Sequence, residues 1–105
     1  MTLTKEERQQ ISGTILEQLG GSRFIAMTGA HSFMYDDNGS LIFKLPSNRG
    51  HLAVRVELNA MDTYDMHFLR MARGSYEVKT TTREGIYNDQ LQTVFTTETG
   101  LATRL

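Results

Sequence analysis

The chain has no cysteine. That absence excludes a disulfide framework, a thiolate metal centre and a cysteine nucleophile, and a small chain without bridges suits a reducing compartment. No apolar run approaches the roughly 18 residues of a membrane-spanning helix, and the opening MTLTKEERQQ lacks the apolar core of a secretory signal. A cytoplasmic protein that neither enters the membrane nor is secreted is the expectation. An excess of one charge is missing too, since eleven basic residues face twelve acidic ones for a formal net charge of -1. Without a global positive field, bulk nucleic-acid binding is disfavoured, although a local patch stays open. The nucleophile-elbow, Walker A, dinucleotide-binding and zinc-ligand patterns are absent, and three histidines are too few for a His-rich metal centre. No catalytic residue, metal or cofactor is therefore assigned.

What remains is an ordinary globular composition, 39% hydrophobic and 22% charged over 105 residues, which suits a single domain spanning 1-105 with one core. Thr4-Lys5-Glu6-Glu7 offers a capping box, and Ile11, Ile15, Leu16 and Leu19 follow at helical spacing, which predicts a helix over 4–19 stopped by Gly20-Gly21. The short apolar runs Arg23 to Met27 and Ser32 to Tyr35 read as strands, with Gly29 marking a bulge or tight bend between them. Asp36-Asp37-Asn38-Gly39 is a hairpin turn leading into the alternating segment Leu41 to Leu45. Pro46 to Gly50 is a polar loop. The cleanest strand follows, with Leu52, Val54, Val56 and Leu58 on one face and Ala53, Arg55, Glu57 and Asn59 on the other.

Tyr64, Met66 and Phe68 continue the alternation, but Leu69 and Met71 fall out of phase, so a bulge near residues 69 to 70, or a sheet covered on both faces there, is expected. Arg73-Gly74 reads as a turn and Tyr76 to Thr82 as a further strand with Tyr76 and Val78 inward. Tyr87, Leu91, Val94 and Phe95 share one helical face, predicting a helix over about 86–98 with Gly100-Leu101 as its stop. The fold class is α+β: an N-terminal helix, an antiparallel sheet of four to six strands built from hairpins, and a C-terminal helix, both helices on one face. The other sheet face is left free for a protein partner or a homodimer contact.

Three constellations could carry chemistry. If Leu58 pairs with Tyr64 and Val56 with Met66, then Glu57 lies opposite Asp65 and Arg55 opposite His67 on the polar face. Neighbouring carboxylates could raise one pKa for acid/base work or, with His67, bind a divalent cation; a solvated face of mixed charges accounts for the same residues. Arg23 and His31 flank glycines that would let backbone N–H groups approach a phosphate or carboxylate, although a helix stop and a bulge also need those glycines. The scatter of Arg49, His51, Arg55, Arg70, Arg73 and Arg83 among Tyr64, Tyr76 and Tyr87 has the residue types of a single-strand binder, but acidic residues interleave throughout. The speculative ligand-binding set is thus Arg23, His31, Arg55, Glu57, Asp65 and His67.

Leu19 to Phe33 (LGGSRFIAMTGAHSF), Tyr64 to Met71 (YDMHFLRM) and Ile86 to Leu101 (IYNDQLQTVFTTETGL) resemble small uncharacterised proteins encoded by tailed bacteriophages and prophages. The resemblance implies a phage or mobile-element accessory protein in the host cytoplasm, and it supplies no site residue. Joined to the missing catalytic signatures, it gives a non-catalytic protein-interaction module as the leading expectation, acting on a host or defence component. A nucleotide- or nucleic-acid-binding protein, or a small hydrolase using Glu57, Asp65 and His67, are the alternatives.

Overall fold

The computed structural model describes residues 3–46, 52–71, 77–101 and 103. Helix α1 spans Lys5–Leu19. The Thr4 hydroxyl accepts a hydrogen bond from the Glu7 N–H at 3.1 Å while the Glu7 carboxylate accepts from the Thr4 N–H at 3.0 Å, completing the capping box that the sequence announces. Gly20, at φ 125°, ends the helix by donating its N–H to Glu17 and Leu16 carbonyls.

A second helix, α2 (Gly21–Thr28), follows at once, where two short apolar runs led to the expectation of a strand over Arg23 to Met27. The physical reason shows in the burial: Phe24 and Thr28 are buried while Ala26 between them is exposed, and a strand would put all three on one face whereas a helix puts only the first and last there. Phe24 is the anchor: its ring meets Phe43 edge-on at 5.4 Å and Phe95 at 5.0 Å. Gly29, left-handed at φ 73°, is the C-cap of α2 and not a bulge between strands; a β-carbon there would stand 2.9 Å from the Pro46 ring. The bulge lies further on, within the next strand between His31 and Met34, where Ser32 takes φ 57°.

Five strands then run as an antiparallel meander in chain order: β1 (His31–Tyr35), β2 (Leu41–Leu45), β3 (Leu52–Leu58), β4 (Tyr64–Met71) and β5 (Val78–Ile86). The β1–β2 turn closes as expected around Asp36 to Gly39. The Asp36 carbonyl accepts from the Gly39 N–H, and the Asp36 carboxylate accepts from the Asn38 and Ser40 N–H groups, both at 3.0 Å. The β3–β4 register is the one that alternation requires, with Leu58 opposite Tyr64, Glu57 opposite Asp65, Val56 opposite Met66 and Arg55 opposite His67.

Pairing at Leu69 and Arg70 is unbroken, so the bulge expected there is absent; it sits between Tyr64 and Met66 in the pairing with β5. That slip lets Ile86 close the buried face, and β5 runs to residue 86 instead of stopping at 82. Val78 is 51% exposed, on the side opposite to the one expected, because it pairs with Met71 in the row beyond Leu69. The turn at Arg73-Gly74 and the inward placing of Tyr76 lie outside the described residues, as do residues 47–50 of the polar loop expected over Pro46 to Gly50. The C-terminal helix α3 (Leu91–Thr99) begins later than expected, after a 3₁₀ turn at Asn88–Gln90, which leaves Tyr87 exposed and not on the helix's core face. Gly100, left-handed at φ 75°, caps it as the sequence indicates.

The core is one layer between the helices and a single sheet face. Ile15, Leu19, Phe24, Leu91 and Phe95 from the helices meet Phe43, Val54, Val56 and Met66 from the sheet, all fully buried. The fold is α+β, with α1 against β1 and β2 and α3 against β5. Among the described residues no element covers the opposite face, and its side chains are the ones that matter below.

Candidate functional site

The outward-facing residues of β3 and β4 are held half-buried by one another. The Arg55 guanidinium donates to the Asp36 carboxylate from Nε at 3.1 Å and from a terminal nitrogen at 3.0 Å, and reaches Glu57 at 3.3 Å. The second oxygen of Glu57 lies 2.8 Å from Nε2 of His67, whose Nδ1 lies 3.1 Å from the Thr82 hydroxyl. A carboxylate only accepts, so Nε2 carries the proton towards Glu57 and the ring orientation is set. The result is a continuous chain, Asp36–Arg55–Glu57–His67–Thr82, running from the β1–β2 turn across three strands.

Asp36 stands at the turn end of this chain. Burial pushes its carboxyl up, but the Ser40 N–H, the Arg55 guanidinium and the Asn38 N–H together outweigh that and hold it below the ordinary carboxylate value. Sequence reasoning missed Asp36 because its approach to Arg55 depends on the β2–β3 register (Ile42 opposite Arg55), which follows from no turn signal. Thr82 was missed for the same reason on the other side.

Asp65 stands opposite Glu57 yet does not share its proton or its partners. Its carboxylate accepts from the Asn59 side-chain amide at 3.0 Å and from the Gly85 N–H at 3.1 Å. The two carboxylates are thus satisfied separately, and among the described residues no three His, Cys, Asp or Glu side chains are placed to hold a metal ion.

Arg23 and His31 are not brought together. Arg23 stands on the exposed side of α2, and His31, in β1, places Nδ1 2.9 Å from the Ser32 hydroxyl. His31 instead rims an open cavity of about 210 Å³ at the end of the sheet, together with Lys44 in the open-face register and with Arg70, Leu45 and Leu52 in the core-face register. Its apolar lining includes Ala53, Leu69 and Val78. Among the described residues, neither Lys44 nor Arg70 forms an ion pair. Of the proposed single-strand set, Arg55 is committed to the chain above, Arg83 pairs with Glu98 at 3.2 Å and Tyr64 is buried. Arg49, His51, Arg73 and Tyr76 lie outside the described residues.

The open face therefore has two halves. One is a closed polar network, with the exposed Met34 in the same row as Arg55, and the other is an apolar hollow lined in part by the exposed Val78, with cations that form no ion pair among the described residues. No family model, no curated protein and no solved structure matches the chain.

Proposed function

We propose that this chain is a non-catalytic accessory protein of a phage or mobile element, which works in the host cytoplasm by binding another protein, a host or defence component, through its open sheet face. The supporting observation is the one-sided fold: helices cover one face, and the other keeps apolar side chains in reach of solvent beside a hollow with two cations that form no ion pair among the described residues. A sheet face of this sort is a surface that a partner chain can cover, with the polar half giving register and the apolar half the area. The polar network suits that role, because groups already hydrogen-bonded to each other lose little when water is excluded from above.

The test is comparative capture from host lysate with tagged wild type, Val78→Glu and Glu17→Lys, all verified as folded. Val78 lies on the open face and Glu17 on the exposed side of α1. A partner retained by wild type and Glu17→Lys but lost by Val78→Glu is the expected result. Equal retention by all three proteins, or a loss confined to Glu17→Lys, would move the binding surface to the helices.

A further inference from the structure

We propose that copies of this chain join head to tail, the β3–β4 turn of one copy seating its Met61 side chain in the cavity at the far end of the open face of the next. The proposal deepens the protein-binding reading above and rests on it, naming a second copy of the chain as one occupant of that face.

Two features, unconnected within the fold, point to each other. Met61 is 82% exposed, an apolar side chain held out at the tip of a turn. The turn is braced from inside by Asn59, whose side-chain oxygen accepts from the Met61 and Thr63 N–H groups while its amide donates to the Thr63 hydroxyl and to Asp65. The Asp62 N–H also reaches the Asn59 carbonyl at 3.1 Å. The braced turn backbone loses little conformational freedom on docking, and the flexible methionine side chain adapts its shape to an irregular hollow.

The hollow lies at the other end of the same two strands. Ala53 and Leu69, a cross-strand pair of β3 and β4, contribute to its lining with Val78, whereas the turn begins beyond the pair Leu58 and Tyr64. A copy cannot fold its own β3–β4 tip back onto the opposite end of that hairpin, so the occupant has to come from another molecule. Charge supports the match: Asp62 stands beside Met61, and the hollow offers Lys44 and Arg70 without ion-pair partners among the described residues. The formal net charge of -1 puts little repulsion between copies. Stacked head to tail, each copy offers its knob to one neighbour and its hole to another, so the contact repeats into rings or open chains, whereas a reciprocal two-fold pair would stop at the dimer mass.

Sedimentation of the purified chain from micromolar to near-millimolar concentration tests this, with Met61→Lys as the knob variant and Leu69→Glu as the hole variant. Lys44→Glu, at an exposed rim position, is a second hole variant in case Leu69→Glu does not fold. Wild type should grow in mass with concentration, and each variant should weaken association by roughly thirtyfold or more, as loss of an anchor residue does. An equimolar mixture of knob and hole variants should stop at one-to-one pairs, because each pair retains one intact knob and one intact hole. Three results would overturn the proposal: wild type staying monomeric throughout, the mixture staying monomeric, or either variant still associating as wild type does. If wild type is monomeric but the lysate partner is still lost by Val78→Glu, self-association fails while the protein-binding reading stands.

Discussion

Replacing Arg55 by methionine removes the cation that pairs with both Asp36 and Glu57 in the outer-face network while keeping a side chain of similar length against the sheet. Arg55 makes three close contacts with the two carboxylates, at 3.0, 3.1 and 3.3 Å, and the three side chains are 26 to 31% exposed. A fully exposed pair is worth at most about 1 kcal/mol, and breaking a buried one costs about 3–5 kcal/mol. Half-burial with good geometry places Arg55→Met between these, at about 2 kcal/mol. For an m-value of about 1–1.5 kcal/mol/M, the urea midpoint at neutral pH should fall by about 1–2 M.

The effect should also depend on pH, and its sign follows from Asp36. Its folded pKa lies below the ordinary carboxylate value, so its contribution is present above that ordinary value and lost as pH falls through the folded pKa. The difference between wild type and Arg55→Met should therefore be full at neutral pH and shrink as the carboxyl protonates in acid. Urea unfolding followed by circular dichroism at neutral and acid pH reads both quantities. An unchanged midpoint at neutral pH, or a destabilisation that is the same at both pH values, would refute the reasoning.

Phe24→Ala should cost about 3–5 kcal/mol, because a ring with no exposure and two edge-on aromatic partners leaves a cavity that nothing nearby can fill; thermal unfolding measures it. Gly39→Ala should cost more than about 1 kcal/mol, since residue 39 needs φ 78° and a β-carbon there would lie 3.0 Å from the Ile11 side chain; urea midpoints check it. Thr4→Ala should lower stability by about 1 kcal/mol through loss of the α1 cap, read by the same titration. Tyr87→Ala should leave the melting temperature nearly unchanged, since the ring is 62% exposed and outside the core.

The parts of the fold legible in the sequence are those set by local rules. Thr4 and Glu7 mark the start of α1, and strict alternation over residues 52–58 and 64–68, joined by a short turn, leaves one register for β3 and β4. That register alone puts Arg55 beside His67 and Glu57 beside Asp65. The α2 segment was misread because five apolar-rich residues fit a buried strand as well as two helical turns; what decides is the pocket for Phe24 between Phe43 and Phe95, a tertiary fact. Asp36 and Thr82 stayed hidden because each joins the network through a register that depends on a distant connection. Asn59, read only as a polar outward residue, organises a whole turn with its side chain. The cavity could not be foreseen at all, since residues from all five strands meet there only once every register is in place. Val78 shows how far one slip carries: the bulge opposite Asp65 changes which end of β5 is inward.

Lysine-specific cross-linking of the chain to the protein it retains from host lysate bears most directly on the claim that the open face is the binding surface. The three lysines sample different sides: Lys5 opens α1, Lys44 stands exposed on the open face and Lys79 lies on the edge strand β5. Cross-links concentrated at Lys44, with Lys5 unreacted towards the partner, are the expected result. Cross-links at Lys5 with none at Lys44 would contradict the account.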